Sequence, residues 1–289
     1  ARRNGVDWGG MMEQVCVYAL RQFQAQEEFG LIGSGPTEQN LKFCLAPIIP
    51  EGVTTLLFGY GGSLKTHLAM VWGLSVQLGH PMLGLTPAEG PVLLLDWETN
   101  QALANQILQA IHAGMGMPAK PHFFYRRCRR PFTEFVEDAK ALVEREGVKL
   151  VIMDSFTKAA GGEKETKENA LPTLTALEWL RTTNLVITHR PKPREGGEEG
   201  GAYGSVYLTN DVRQAFRVES RHEPDEGAAQ VALFHTKHNL MAPLPPFGYR
   251  IVWDKLLGTI IERQDVASME GLRERLYAVA QIQHALDSL

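Results

Sequence analysis

The chain holds 289 residues, 44% of them hydrophobic and 21% charged, with a formal net charge of -4. That balance excludes a disordered, collagen-like or solenoid chain, and it offers no global positive field to draw in a polyanion. Three widely spaced cysteines, Cys16, Cys44 and Cys128, form no CxxC pair and point to reduced thiols in the cytoplasm rather than to a disulfide framework or a zinc site. No apolar run approaches the roughly 18 residues a membrane span needs. No secretory leader is visible, and a start at Ala1 without Met suggests processing or trimming.

Residues 1–50 read as a flank. Within it, 11–29 carries apolar residues at three-to-four spacing, which predicts a helix, and the glycines and proline of 30–36 break it. From residue 51 the texture alternates. Strands are predicted at 53–58, 92–95, 150–153 and 185–188, and helices at Lys65–Leu78, 100–113, 132–146 and 171–181. Gly79, Gly114 and Gly147 mark helix ends. This βαβα order predicts an α/β fold with a mostly parallel sheet covered by helices on both faces. Short strands at 212–218, 231–234 and 249–252 are expected to extend the sheet as an antiparallel edge, so that the core spans 51–264. A last amphipathic helix is expected at 272–286, within a tail of 265–289. The glycine- and glutamate-rich stretch 194–201 cannot pack a core and reads as a mobile loop.

The strongest motif is Gly59-Tyr60-Gly61-Gly62-Ser63-Leu64-Lys65-Thr66, between a predicted strand and a predicted helix. Glycines at that junction let backbone amides turn inward around phosphate, and the helix N-terminus adds a favourable dipole. Lys65 is placed to reach the β- and γ-phosphates of a nucleotide, and Thr66 to hold Mg²⁺. One departure stands out: Leu64 occupies the position where the P-loop pattern has Gly. The candidate nucleotide-binding set is Gly59, Gly61, Gly62, Ser63, Leu64, Lys65, Thr66 and His67. His67, with His80 and His112, lacks any ligand-like pairing for a metal and otherwise reads as an ordinary helix or loop residue.

Two acids follow apolar strands. Asp154 ends Leu150-Val151-Ile152-Met153 and can hold Mg²⁺ as a Walker-B residue does. Glu98 lies just past the strand tip of Leu93-Leu94-Leu95-Asp96-Trp97 and can orient or deprotonate an attacking water; the competing reading is a cap for the helix that starts near Asn100.

With GYGGSLKT, LLLDWET, LVIMDS, LVITHR and FHTKHN in this order, residues 51–254 resemble the RecA-like P-loop ATPase core, and most of all the RepA-type and DnaB-type hexameric helicase ATPases and the AAA-family ATPases of phages and plasmids. The resemblance implies ATP bound between neighbouring subunits of a hexamer or another ring or filament, with Glu98 catalytic and Asp154 beside Mg²⁺. It makes His189 the residue that senses the γ-phosphate. It sets Lys237 where a trans-acting lysine reaches the neighbour's ATP, with Asn239 standing where an arginine finger is often found. It also puts single-stranded DNA against the loops 156–168, with Lys158, Lys164 and Lys167, and 190–203, with Arg190, Lys192 and Arg194. The glutamates of the second loop weaken that case. The basic run Arg126, Arg127, Arg129 and Arg130 is open to phosphate binding, interface pairing or plain solvation.

The leading expectation is therefore an ATP- and Mg²⁺-dependent DNA helicase or related replication or recombination motor. The alternative is a nucleotide-switched scaffold that binds ATP and recruits protein partners with little turnover. A small-molecule kinase is a weaker third reading.

Overall fold

The structure is a computed structural model and describes residues 2–3, 6–12, 14–16, 41–162, 166–189 and 206–272. The chain divides into two units, Ala1–Asn40 and Leu41–Leu289. In the first, Arg2–Arg3 pairs antiparallel with Val6–Asp7. Residues 8–12 and 14–16 are helical, and the rest of the helix expected at 11–29 lies outside the described residues.

The second unit is built on a nine-stranded sheet. Its strands are β1 (Thr54–Gly59), β2 (Val92–Asp96), β3 (Phe124–Arg127), β4 (Leu150–Asp154), β5 (Thr183–His189), β6 (Gln214–Glu223), β7 (Ala228–His238), β8 (Phe247–Asp254) and β9 (Gly258–Gln264). The spatial order is β9-β8-β7-β6-β1-β5-β4-β2-β3. Strands β3 to β6 in that order run parallel, and β7, β8 and β9 continue the sheet antiparallel. A small second sheet joins Phe43–Ala46 to Ile49–Pro50 and Thr86–Pro87.

The apolar runs of the parallel strands are continuous because both faces are covered. Val92 and Leu94 of β2 enter one core layer with α1 (Lys65–Leu78) and α2 (Gln101–Gly114), while Leu93 and Leu95 enter the other with α3 (Val136–Glu146) and α4 (Lys167–Trp179). Helix α1 is buried around nearly its whole circumference and presses close to β4, since a Cβ on Gly73 would come within 2.9 Å of Ile152 Cδ1. Cys44 and Cys128 are buried free thiols, and Cys16 is exposed and free.

Several boundaries differ from the sequence expectation. Helix α4 starts at Lys167 rather than 171: the Thr166 amide donates to Asn169 Oδ1 at 2.8 Å and caps it, and Pro172 is absorbed inside. The segment expected as one helix over 132–146 is a short 3₁₀ turn, Phe132–Glu134, followed by α3. Strands β6, β7 and β8 are each longer than expected, and β3 and β9 are additional. The stretch 156–168 is less of a loop than expected: Phe156–Ala159 is helical and Lys167 already belongs to α4. Lys164, the stretch 190–203, and all of 272–286 but Leu272 lie outside the described residues. Among the described residues no helix is long and apolar enough to cross a membrane.

Candidate active site

Parallel register brings the ends of β1, β2, β4 and β5 to one edge of the sheet. Gly59 sits level with His189, and Asp96 level with Asp154. Ligands in open α/β sheets bind at this carboxyl edge.

The loop between β1 and α1 is shaped by close approach and by left-handed backbone. A Cβ on Gly59 would lie 2.4 Å from the Val218 carbonyl oxygen, so only glycine fits there. Gly62 has φ +77°. Leu64 also takes the left-handed conformation, at φ 63° and ψ 21°, and its side chain packs on the core. The glycine of the general pattern is replaced here by a residue that adopts the glycine-like backbone and is held by packing. No side chain caps α1. Its first N–H groups, directed at the loop, are suited to an anion.

Lys65 is 4% exposed. Its Nζ donates to the Gly59 carbonyl at 3.0 Å, the Tyr60 carbonyl at 2.8 Å and Ser63 Oγ at 3.1 Å. Burial pushes the amine down to about 8, against the opposing pull of Asp154 and Glu98. Thr66 Oγ1 donates to Asp154 Oδ2 at 2.6 Å, which places a hydroxyl and a carboxylate side by side at the root of the loop. Burial holds the Asp154 carboxyl up to about 6; Glu98 and Asp96 add to the rise, and Thr66 and Lys65 oppose it. This donor pair, both hard oxygens, fits Mg²⁺, which takes one or two protein ligands and completes its shell with water and substrate phosphate. Among the described residues no group of three or more His, Cys, Asp or Glu side chains forms a ready metal cage.

Glu98 does not cap α2; Asn100 does, its side chain accepting from the Leu103 amide at 3.0 Å. Instead the carboxylate faces the loop after β4. Ser155 Oγ donates to Glu98 Oε1 at 2.5 Å and Lys158 Nζ to Oε2 at 2.6 Å, while His189 Nε2 stands 3.9 Å from Oε1. His189, with Lys158 and Ser155, holds the carboxyl down to about 2 despite partial burial. The turn that aims Glu98 is built by Asp96. Its side chain accepts from the amides of Glu98 at 2.7 Å and Thr99 at 2.8 Å, from Thr99 Oγ1 at 2.5 Å and from the Tyr125 hydroxyl at 3.0 Å. Asp96 and Ser155 are parts of the site that the sequence reading missed. The signal for Asp96 was its place two residues before Glu98 at a strand tip.

Lys237 is not at this edge. It pairs in register with Ala215, which pairs with Leu56, whereas the phosphate loop begins at Gly59 beside Val218. Its Nζ donates to the carbonyls of Thr209 and Asn210, both at 2.7 Å, at the end of the short helix Val206–Asp211. Three of the four arginines of the basic run pair within the chain, at its surface. Arg126 pairs with Asp138 at 3.1 Å and lies over the Phe135 ring, Arg127 donates to the Asp96 carbonyl at 2.9 Å, and Arg130 pairs with Glu134 at 3.4 Å.

Residues 21–195 match the profile of the family described as AAA domain. No curated protein matches the sequence. Among solved structures, a KaiC-like protein from the hyperthermophilic archaeon Pyrococcus horikoshii OT3 is similar at a TM-score of 0.52 and 16% identity, over 75% of this chain and 93% of that one. At that identity the likeness speaks for the fold alone.

Proposed function

The chain belongs to the AAA domain family and has the fold of a RecA-like P-loop ATPase, and from that premise we propose that it hydrolyses MgATP to drive work on single-stranded DNA as a ring or filament of its own copies. The observation that carries the nucleotide reading is the Thr66–Asp154 contact at 2.6 Å, beside a loop that already gathers Lys65. The proposed ATPase module is 51–264, between an N-terminal flank and a C-terminal tail.

In this reading the loop amides and Lys65 hold the β- and γ-phosphates, Thr66 and Asp154 hold Mg²⁺, and His67 follows at the α-phosphate end. The metal, when bound, supplies charge neutralisation on the phosphate oxygens. Glu98 takes a proton from water as its oxygen bonds to the γ-phosphorus, and the bond from that phosphorus to the bridging oxygen breaks to release ADP. His189 reports the γ-phosphate to the stretch that follows it, a reading supported by its register with Gly59 and its 3.9 Å distance from Glu98. Lys237 acts, if released from its helix carbonyls, on a neighbour's nucleotide.

Glu98 is held by Lys158, and a carboxyl at about 2 is a poor base at neutral pH. Basal turnover is therefore low in this reading. Lys158 heads the stretch proposed to meet DNA, so phosphates that draw Lys158 away release Glu98. The same lock favours the second reading, an ATP-switched scaffold that recruits proteins and turns over little. Steady-state ATP turnover with and without single-stranded DNA separates them: a severalfold rise supports the motor, and a flat, slow rate leaves the scaffold.

A further inference from the structure

Beside the phosphate loop, three rings form a cluster, two of which, Trp253 and His222, have no part in the phosphate chemistry above. Trp253, near the end of β8, lies parallel to His222, near the end of β6, with centroids 6.3 Å apart and an interplanar angle of 4°. His67, the residue after Thr66, meets Trp253 edge-on at 6.1 Å and 90°. His222 Nε2 is 3.2 Å from the carbonyl oxygen of Gly62, inside the loop.

These contacts follow from the sheet. Strand β6 pairs with β1 up to Val218 beside Gly59 and then continues past the loop, carrying His222 level with Ala229 of β7. Ala229 in turn pairs with Ile251 of β8, two residues before Trp253 on the same face. The antiparallel extension thus brings an indole and an imidazole to the flank of the loop where α1 begins. Trp253 is 37% exposed, so the indole keeps an open part.

We propose that Trp253 and His222 are the platform on which the nucleobase of the bound nucleotide stacks, with His67 bracing the indole from the helix side. The inference rests on the nucleotide reading above and adds the subsite for the base. Three observations carry it. The cluster is hydrogen-bonded to the loop itself through Gly62. It adjoins His67, the residue that follows Thr66 in the first turn of α1. Trp253 and His222 are both exposed, and every base has a π-face that stacks on an accessible ring without a hydrogen-bond code.

The test uses calorimetry in Mg²⁺ with two probes, ATP and inorganic tripolyphosphate, on the whole chain and its Trp253→Ala, Trp253→Phe and His222→Ala variants. Stacking of one base on an aromatic ring implies a loss of about ten-fold or more in ATP affinity for Trp253→Ala. His222→Ala is expected to show a smaller loss, and Trp253→Phe to recover most of the affinity. Tripolyphosphate, which has no base, should bind all four proteins alike. Unchanged ATP affinity in Trp253→Ala overturns the platform and leaves the phosphate cradle standing. Equal weakening of both probes in Trp253→Ala makes the indole a support of the loop and also overturns the platform. Failure of both probes to bind the unaltered chain overturns the nucleotide reading and the platform with it.

Discussion

Thr66 and Asp154 lie 88 residues apart in sequence and 2.6 Å apart through Thr66 Oγ1 and Asp154 Oδ2. The first residues of α1 and the last residue of β4 are joined there, where β1, β4 and β5 run side by side. Burial holds the Asp154 carboxyl up to about 6, above the 3.8 of a free aspartate. For an acid whose folded value is raised, stability is lost as pH rises from the unfolded value to the folded one, and the deficit is complete at neutral pH. Asp154→Asn removes that deficit and keeps an acceptor for Thr66. We expect its Tm without nucleotide to rise by a few degrees, at about 2–4 °C per kcal/mol for a chain of this size. ATP turnover should fall more than about 100-fold, because a metal clamp supplies several kcal/mol at the transition state. A variant that stays fully active would remove Asp154 from the site.

Glu98 and Lys158 yield a paired prediction. Glu98→Gln keeps nucleotide binding and loses about 10²–10⁴-fold in turnover, the ordinary share of a positioned base. Lys158→Met acts in the other direction on the same atom. With that ion pair gone, the Glu98 carboxyl rises from about 2 toward the ordinary carboxylate range, held by His189 and Ser155 alone. A more basic carboxylate takes the proton from water more readily, so turnover without DNA should increase. Unchanged turnover without DNA would mean that Lys158 does not govern the base.

The loop tolerates change unevenly. Leu64 has φ 63°, a conformation that costs an L-residue about 1–2 kcal/mol, and partial packing on the core offsets it. Leu64→Gly removes strain and packing together and should leave stability within about 1 kcal/mol of the parent. Leu64→Val puts a β-branched residue in the same backbone and should cost more. Gly59→Ala drives a Cβ to 2.4 Å from the Val218 carbonyl oxygen and should cost more than about 2 kcal/mol, whereas Gly61, with no atom within 4 Å of such a Cβ, should accept alanine. Urea denaturation of the four variants checks the order.

His235 predicts an acid-sensitive fold. Its Nδ1 accepts from the Leu244 amide at 3.0 Å, so Nε2 carries the proton and donates to Gln214 Oε1 at 2.7 Å. Protonation would turn Nδ1 into a donor facing another donor. Burial, aided by His238, pushes the ring down to about 4 from 6.5. For a base whose folded value is depressed, the unfolded chain takes up the proton first, so stability is full above pH 6.5 and falls as pH drops toward 4. The loss is on the order of 3 kcal/mol over that window. His235→Gln should flatten the slope of denaturation midpoint against pH between those limits.

What was legible in the sequence was the part dictated by neighbours along the chain. The junction of an apolar strand, a glycine bend and Lys65-Thr66 located β1 and α1 closely, and continuous apolar runs located β2, β4 and β5. Strand β3 was obscured because Arg126 and Arg127 open a dense basic run, while the fold places Tyr125 against Asp96 and Arg127 against its carbonyl. Helix α4 begins before the expected 171 because Thr166 and Asn169 cap it at Lys167, with Pro172 inside the helix. The partners of Glu98 were out of reach: Ser155 and Lys158 lie 57 and 60 residues downstream, and only the register of β2 with β4 brings them together.

The amine of Lys65 serves as a plug in its own socket: it occupies the two carbonyls and the hydroxyl that line the bend. An arriving triphosphate must trade places with it. Association should therefore proceed in two stages, a concentration-dependent encounter and then a first-order rearrangement, so that observed rates in stopped-flow mixing level off at high nucleotide rather than climbing without limit.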